Sequence, residues 1–526
     1  MTPRALLTSA VGALLAVSGL ALVPATSAQA GTGPEAARSS AQKVDPIAWS
    51  RCKDKDLKKA KADCGYLTVA LDHANPAAGT IQLAVSRILH TKGPGRGAVF
   101  VNPGGPGASG LQYSRLGGAV PDGVGKTYDW YGIDPRGAGA SIPALSCDSS
   151  YANTAHQPYQ PKTAEILNYW LTRTDGYAAA CGVSASKALL PHMKTTDIVA
   201  DFEDLRVAIG QAQVTFYGFS YGTYIGQVWA TLHPASVKAM VLDGVVDPGR
   251  VWYQSNLDQD HAFGVAFKKF FAWIGKSDRI FHLGRTARQV GKRFTKLRKQ
   301  LARKPVRHKL GAAELEDVLT SAGYTNQSWP TIAGAIAALA NRGDSRPLLQ
   351  LSKTDKGPGA DNDYAMYLAT SCTDAPWPKD WNVWAADNAA ADHDSPFIAW
   401  ANAWFNAPCR TWPAPANAAA FAVSGAAFTG PVLLISEQYD AATPFSGALA
   451  VRGLFPTASL VEGKRGTTHA SSLSGVSCVD GAIAALLGKG RLPTRKAGAG
   501  PDRKCPALAP PRAGTTPRLG GLTPRW

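Results

Sequence analysis

The chain has 526 residues, of which 45% are hydrophobic and 18% charged. That balance excludes a mainly disordered polypeptide and gives room for one large domain with a substantial insertion, or for two domains. The formal charge is +17, from 55 Lys and Arg against 38 Asp and Glu, but much of the excess sits in one stretch, so it does not by itself define a nucleic-acid-binding surface.

At the start, Arg4 supplies a basic residue, the stretch to Val23 is apolar or small, and Ala28-Gln29-Ala30 places small residues at a cleavage site. This is the layout of a signal peptide over 1–30, so the mature protein is expected to be secreted and extracellular. A retained anchor is the blander reading; Thr8, Ser9, Ser18 and several glycines interrupt the apolar run, and no cysteine lies near the cut for lipid attachment. Residues 31–44, rich in Gly, Ala, Pro and Ser, read as a flexible leader or pro-segment. No later stretch offers about 18 strongly apolar residues, so no membrane span is expected.

Tyr66–Leu71 and Ile81–Ile88 alternate as an antiparallel edge hairpin, and Gly97–Asn102 and Trp130–Asp134 read as buried strands ending in glycine-rich turns. A βαβ unit follows: helix at Asp197–Ile209, strand at Val214–Tyr217, helix at Tyr221–Leu232, strand at Val237–Leu242. Connections of this length between apolar strands imply a parallel sheet covered by helices. From 251 to 424 the chain turns Ala-rich and helical in period, as at Gly264–Trp273, Ala313–Thr320 and Ile332–Ala340. Strand, helix and a last strand return at Pro431–Ile435, Ser446–Leu454 and Ala458–Val461, with a closing helix at Val479–Leu487. The expected architecture is an α/β core over 45–250 and 425–505, with a mostly parallel central sheet, a large helical cap inserted over 251–424, and a flexible basic tail over 506–526.

Between Lys276 and Lys309 there are 13 Lys and Arg and one acid. Phe281, Val290, Phe294 and Leu297 give the segment an apolar side, and exposed aromatics for base stacking are lacking, so it reads as a solvated basic helix pair. Weak association with anionic cell-wall polymers is the secondary reading, and nucleic acid is not an expected partner. The eight cysteines, at 52, 64, 147, 181, 372, 409, 478 and 505, form neither CxxC nor a zinc-like cluster. Export favours disulfides. The set Cys52–Cys64, Cys147–Cys181, Cys372–Cys409 and Cys478–Cys505 is expected because each pair falls inside one predicted lobe.

The chemistry centres on Gly218-Phe219-Ser220-Tyr221-Gly222. GxSxG is a weak pattern alone, but here it joins a strand to a helix, which makes Ser220 the residue of a nucleophile elbow rather than an ordinary capping serine. Pro103-Gly104-Gly105-Pro106-Gly107 follows an early strand, as an oxyanion loop does, and no GK[ST] follows it to cradle phosphate. Amides of Gly105 and Tyr221 are the expected oxyanion donors, with Gly104 nearly as good a choice as Gly105. The acid and base should follow in the order Ser, Asp, His. Asp440 sits just after the strand at Pro431–Ile435, and His469 is the only histidine beyond His393. Asp243, ending the strand after the nucleophile helix, is the rival acid, and Glu437 a weaker one. Ser184-Ala185-Ser186-Lys187 matches SxxK, but its partner motifs are missing, and HExxH is absent.

With these residues in place, the sequence resembles the secreted tripeptidyl aminopeptidases of actinomycetes, in the proline-iminopeptidase-like branch of the α/β-hydrolase serine peptidases. The resemblance runs from about Cys52 to Cys505 through NPGGPGASG (102–110), GIDPRGAGAS (132–141), LPHMKTTDIVADFEDLR (190–206), YGFSYGTYIG (217–226), WYQSNLDQDHAF (252–263), CTDAPWP (372–378), WANAWFNAPCRTWP (400–413) and SEQYDAATPF (436–445). It implies an α/β-hydrolase fold with a helical cap, release of short peptides, typically tripeptides, from free N-termini, and catalysis by Ser220, Asp440 and His469. Ala470 departs from the family's common glycine after the base, a change expected to be tolerated at negative φ. An exopeptidase must recognise the substrate's ammonium, which carboxylates in the cap do best. Asp258, Asp260 and Asp374 are expected as a set, each with a helix cap or surface group as the bland role. Trp377, Trp381, Trp384, Trp400, Trp404 and Trp412 are expected mainly to pack the cap and secondarily to line subsites. The reaction so implied is acyl transfer through Ser220, with peptide or protein N-termini as partners and no metal or cofactor required. An exported carboxylesterase or lipase with the same triad, and a non-catalytic cell-surface binding protein on the same fold, are the alternatives.

Overall fold

The computed structural model describes residues 46–152, 156–354 and 356–515. The signal peptide and leader expected over 1–44, and the tail beyond 515, lie outside the described residues. Among the described residues ten strands form one sheet: β1 (Ser50–Arg51), β2 (Asp63–Ala70), β3 (Thr80–Ile88), β4 (Ala98–Asn102), β5 (Asp129–Ile133), β6 (Val214–Phe219), β7 (Val237–Asp243), β8 (Val432–Glu437), β9 (Ala458–Lys464) and β10 (Arg503–Pro506). Their order is β1-β2-β3-β5-β4-β6-β7-β8-β9-β10. The three pairings from β1 to β5 are antiparallel and the rest parallel.

The central strands are buried on both faces, which is why they read as continuous apolar runs. Alternate residues still serve opposite sides. Ala98, Phe100, Val214, Phe216, Val432 and Leu434 enter one core, whereas Val99, Val101, Tyr217, Phe219, Leu433 and Ile435 enter the other. The helices outside the inserted segment are α1 (Lys55–Lys59), α2 (Ala164–Val183), α3 (Thr195–Ala208) and α4 (Tyr221–Leu232) before it, and α14 (Phe445–Leu454) and α15 (Ser477–Lys489) after it.

Between β7 and β8 the described residues hold helices and no strand: α5 (Tyr253–Lys276), α6 (Asp278–Phe281), α7 (Ala287–Arg303), α8 (Ala312–Tyr324), α9 (Trp329–Arg342), α10 (Arg346–Leu351), α11 (Asn362–Asp374), α12 (Trp381–Asp394) and α13 (Ala399–Asn406). They divide in two. Phe263, Phe267 and Phe271 of α5, Val290, Phe294 and Leu297 of α7, and residues of α8 and α9 share a second apolar core, which Ala441 and Ala442 beside Asp440 also enter. Met366, Leu368, Trp377 and Trp384 instead extend the core that lies against the sheet. The basic stretch is α7: its four buried apolar residues, Val290, Phe294, Leu297 and Leu301, leave Lys292, Lys296 and Lys299 exposed. The clustered tryptophans form a run of stacked indoles, with Trp377–Trp384 at 5.7 Å, Trp381–Trp404 at 4.5 Å and Trp170–Trp404 at 5.8 Å between ring centroids.

Two expectations about the C-terminal end change. Ala458–Val461 is not the last strand, because β10 pairs parallel to β9 beyond it. The chain after Pro506 is not free at its start: the Leu508 N–H donates to Glu437 Oε1 at 3.1 Å, and Asn326 Nδ2 and Gln327 Nε2 donate to the Leu508 and Ala509 carbonyls at 2.7 and 2.9 Å. Disulfides link Cys52 to Cys64, Cys147 to Cys181, Cys372 to Cys409, and Cys478 to Cys505, the last holding β10 to α15. No helix among the described residues is long and apolar enough to cross a membrane.

Candidate active site

Ser220 sits between β6 and α4 with φ 53° and ψ −125°, a backbone region that non-glycine residues occupy only when the surroundings force it, at about 1–3 kcal/mol. The surroundings are tight enough to do so. A Cβ on Gly218 would lie 2.4 Å from the Gly222 carbonyl oxygen, and one on Gly222 would lie 2.7 Å from the Asn102 carbonyl oxygen. The Ser220 N–H donates to the Asp243 carbonyl at 2.9 Å, and the Thr223 N–H and hydroxyl both donate to the Ser220 carbonyl, at 2.8 and 2.7 Å. The hydroxyl is thus carried on a bend whose backbone is fully engaged, at the N-terminus of α4, where partial positive charge favours an anion.

The glycine-rich loop after β4 lies against this bend. A Cβ on Gly104 would approach the Phe219 carbonyl to 2.7 Å and Ser220 Cβ to 2.8 Å, and Gly104 and Gly105 have φ of 105° and 107°. Side chains would therefore clash at the first and be strained at both. The Gly104 N–H donates to Asn102 Oδ1 at 2.9 Å, an internal commitment that favours Gly105 as the loop's oxyanion donor. The far end of the loop is gathered by Asp134, which accepts from Ser109 Oγ at 2.6 Å, the Gly110 N–H at 2.8 Å, and the Ala140 N–H at 2.8 Å.

Asp440 and His469 meet on the exits of β8 and β9. His469 Nδ1 stands 2.8 Å from Asp440 Oδ2 and 3.0 Å from Oδ1, both residues being buried. Asp440 also accepts from the Ala442 and Thr443 N–H groups at 3.0 Å each and from Thr443 Oγ1 at 3.0 Å. The pair reaches the elbow through Asp243-Gly244. Asp243 receives the Ser220 N–H, and a Cβ on Gly244 would fall 2.7 Å from His469 Cε1. An imidazole oriented by a carboxylate beside a raised serine can accept the hydroxyl proton and stabilise the resulting charge.

Residues 97–469 match the family described as alpha/beta hydrolase fold. The chain belongs to the α/β-hydrolase family. Over 497 residues this α/β-hydrolase is 36% identical to the tripeptidyl aminopeptidase of Streptomyces lividans, covering 92% of this chain and 90% of that one. It is 37% identical over 454 residues to the tripeptidyl aminopeptidase of Streptomyces coelicolor, covering 84% and 82%. The serine protease Hip1 of Mycobacterium tuberculosis is 28% identical over 474 residues, covering 85% and 90%.

The two rival acids of this α/β-hydrolase hold the histidine loop. Asp243 accepts the Ser472 N–H at 2.7 Å. Glu437 accepts the Thr468 N–H at 2.5 Å and Ser471 Oγ at 3.0 Å, in addition to the Leu508 N–H. Burial raises Asp243 to about 6 and Glu437 to about 7. The condition set for Ala470 is not met: its φ is +51°, the left-handed region where glycine is unstrained and alanine is held at a cost.

The three carboxylates expected above the site separate in role. Asp258 forms an ion pair with Arg250 at a half-exposed position. Asp374 is buried and committed to protein donors, accepting from the Thr195 N–H and Oγ1 at 2.6 Å each and from Trp252 Nε1 at 3.2 Å. Thr195 Oγ1 in turn lies 2.6 Å from the Tyr221 hydroxyl, so Asp374 braces the residue after Ser220. Desolvation raises Asp374 to about 6. Asp260 is buried and, among the described residues, accepts from Asn402 Nδ2 at 3.0 Å on Oδ1. Asn102, Asp134 and Thr443 escaped the sequence reading as site residues. The signal for the first two was their place at the exits of β4 and β5, where a short polar side chain can fold a glycine-rich loop.

Proposed function

We propose that this α/β-hydrolase is a secreted serine exopeptidase that releases tripeptides from free N-termini. The carrying observation is the buried Asp440–His469 pair set beside the strained Ser220 bend. In this reading Ser220 attacks the scissile carbonyl as His469 takes its proton. The Gly105 and Tyr221 amides hold the oxyanion, and His469 then protonates the departing amine. Water resolves the acyl-enzyme by the same steps in reverse. Asp440 keeps the imidazole proton on Nδ1 and balances the imidazolium.

The tripeptide substrate is supported by the names of the Streptomyces relatives, and secretion by the four disulfides. The helical segment over 251–424 acts as the cap that closes the cleft, and the basic outer face of α7 is the place where anionic cell-wall polymer would associate weakly. A panel of four substrates tests the reading: a free tripeptidyl arylamide, its N-acetylated form, a mono-aminoacyl arylamide and a short-chain ester. The free tripeptide should be cleaved fastest. Preference for the blocked peptide would defeat the exopeptidase reading, and preference for the ester with indifference to blocking would assign an esterase.

A further inference from the structure

The main-chain N–H of His469 is bound by the inserted helices, not by the sheet. It donates at 2.8 Å to the carbonyl of Tyr324, the last residue of α8, one of the acceptors that a helix leaves over at its C-terminus. The Tyr324 ring stands 5.8 Å from the imidazole, edge to face. Two residues on, the Asn326 N–H donates to Thr468 Oγ1 at 3.2 Å. The turn over 324–327 therefore holds both the base and the residue before it.

That turn is itself held by the chain beyond β10. Asn326 is 2% exposed. Its Nδ2 donates to the Leu508 carbonyl at 2.7 Å, and its Oδ1 accepts from Gln327 Nε2 at 2.6 Å, which also donates to the Ala509 carbonyl at 2.9 Å. The Leu508 N–H donates to Glu437 Oε1 at 3.1 Å, and Glu437 accepts from the Thr468 N–H and from Ser471 Oγ, one on each side of His469. The hydrogen bonds close a circuit from the histidine loop through the inserted turn, Asn326, Leu508 and Glu437 back to the histidine loop. The C-terminal segment starts from a fixed point, because Cys505 is bonded to Cys478 and β10 lies in register on β9 as far as Pro506. Farther on, Ala513 packs against the second apolar core. A buried asparagine is costly unless its polar atoms are met, and the bonds that meet these lead back to the loop carrying the base.

We propose that Asn326 is a positioning residue for His469, acting through Leu508 and Ala509 of the C-terminal segment, so that the inserted turn and that segment must both be seated for the base to reach Ser220. The inference rests on the reading of His469 as the base. A misplacement of about 1 Å at a reacting group can cost about 100-fold in rate. A shift confined to the histidine loop removes transition-state stabilisation without removing ground-state contacts, so the signature is a fall in kcat at nearly constant KM.

The test is a double-mutant cycle in the full chain. Asn326→Ala removes the donor to Leu508, and Leu508→Pro removes the N–H given to Glu437. Each is assayed on a free tripeptidyl arylamide and by the rate of fluorophosphonate labelling, well below its unfolding midpoint. Each should lower kcat about 10- to 100-fold with KM within about 3-fold of wild type, and labelling of Ser220 should slow by the same factor. Because both act on one circuit, N326A/L508P should lose little more than the worse single variant. Unchanged kcat in the folded single variants overturns the proposal, as does a change confined to KM. Losses that multiply in the double variant also overturn it, since they would mark two independent structural roles. Should either variant not fold, Gln327→Ala, which keeps Asn326 and frees Ala509, should lower kcat and labelling together about 3-fold, and no change in either overturns the proposal. A His469→Ala enzyme with wild-type turnover would instead remove the reading of the base itself.

Discussion

Replacing Asp440 by Asn separates the two acids that compete for the role of orienting His469. Asp440 Oδ1 already receives the backbone N–H groups of Ala442 and Thr443, both at 3.0 Å. In the variant those two donors hold the amide oxygen in place and turn the NH2 group toward His469 and Thr443 Oγ1. Facing a donor, the imidazole presents Nδ1 as an acceptor and carries its proton on Nε2, the nitrogen that must be bare to take the Ser220 proton. Loss of the usable tautomer and of the charge that balances the imidazolium together should lower kcat about 1,000- to 10,000-fold, or roughly 4–5.5 kcal/mol of transition-state stabilisation. The fold should survive, because the backbone donors stay satisfied. Asp243→Asn keeps an acceptor for the Ser472 N–H and contacts no ring nitrogen among the described hydrogen bonds, so its kcat should fall less than about 10-fold. The assay is steady-state hydrolysis of a free tripeptidyl arylamide, with circular dichroism as the control for folding. D440N within about 10-fold of wild type, with D243N losing about 1,000-fold, would refute the reasoning and move the acid to β7.

Glu437 is raised by burial from 4.5 to about 7, so the folded protein holds a proton that the unfolded chain releases. Its contribution to stability is fully present below about pH 4.5 and lost as pH rises through 7, on the order of 3 kcal/mol across that window. Urea unfolding between pH 4.5 and 8 should therefore show a steeper loss in wild type than in Glu437→Gln, and equal slopes would contradict the prediction. Asp201 accepts from Arg136 Nη2 and Nε at 2.6 and 2.8 Å, both side chains being buried. Asp201→Ala strands the guanidinium and should cost about 3–5 kcal/mol by denaturant midpoint, whereas a change below about 1 kcal/mol would show that the pair is relaxed by solvent. Cys372 and Cys409 are 37 residues apart. Replacing both with alanine should cost about 4 kcal/mol on the chain-entropy relation, read by unfolding under non-reducing conditions.

The central strands were legible because burial on both faces writes itself as apolar runs such as Ala98–Asn102 and Val432–Glu437. Ser220 was legible because its strain requires a glycine two residues to each side. β10 was hidden: Arg503–Pro506 reads RKCP, with exposed charges and a proline, and acquires its register from β9 and from Cys505. Glu437 and Asp243 read as rival acids because both end strands near the site; only three-dimensional placement shows their carboxylates turned to the backbone of the histidine loop. Ala470 misled in the opposite sense. Its positive φ belongs to the geometry of the loop after β9, which no local pattern in GTTHASS announces.

The central claim is that one particular hydroxyl does the chemistry. Treatment with a fluorophosphonate, followed by intact-mass and peptide mapping, should give a single adduct on Ser220 with loss of peptidase activity in proportion to labelling. Ser220→Ala should take up no label and retain no turnover above background. Labelling confined to another residue, or a Ser220→Ala enzyme that still cleaves the free tripeptide at a wild-type rate, would contradict the account.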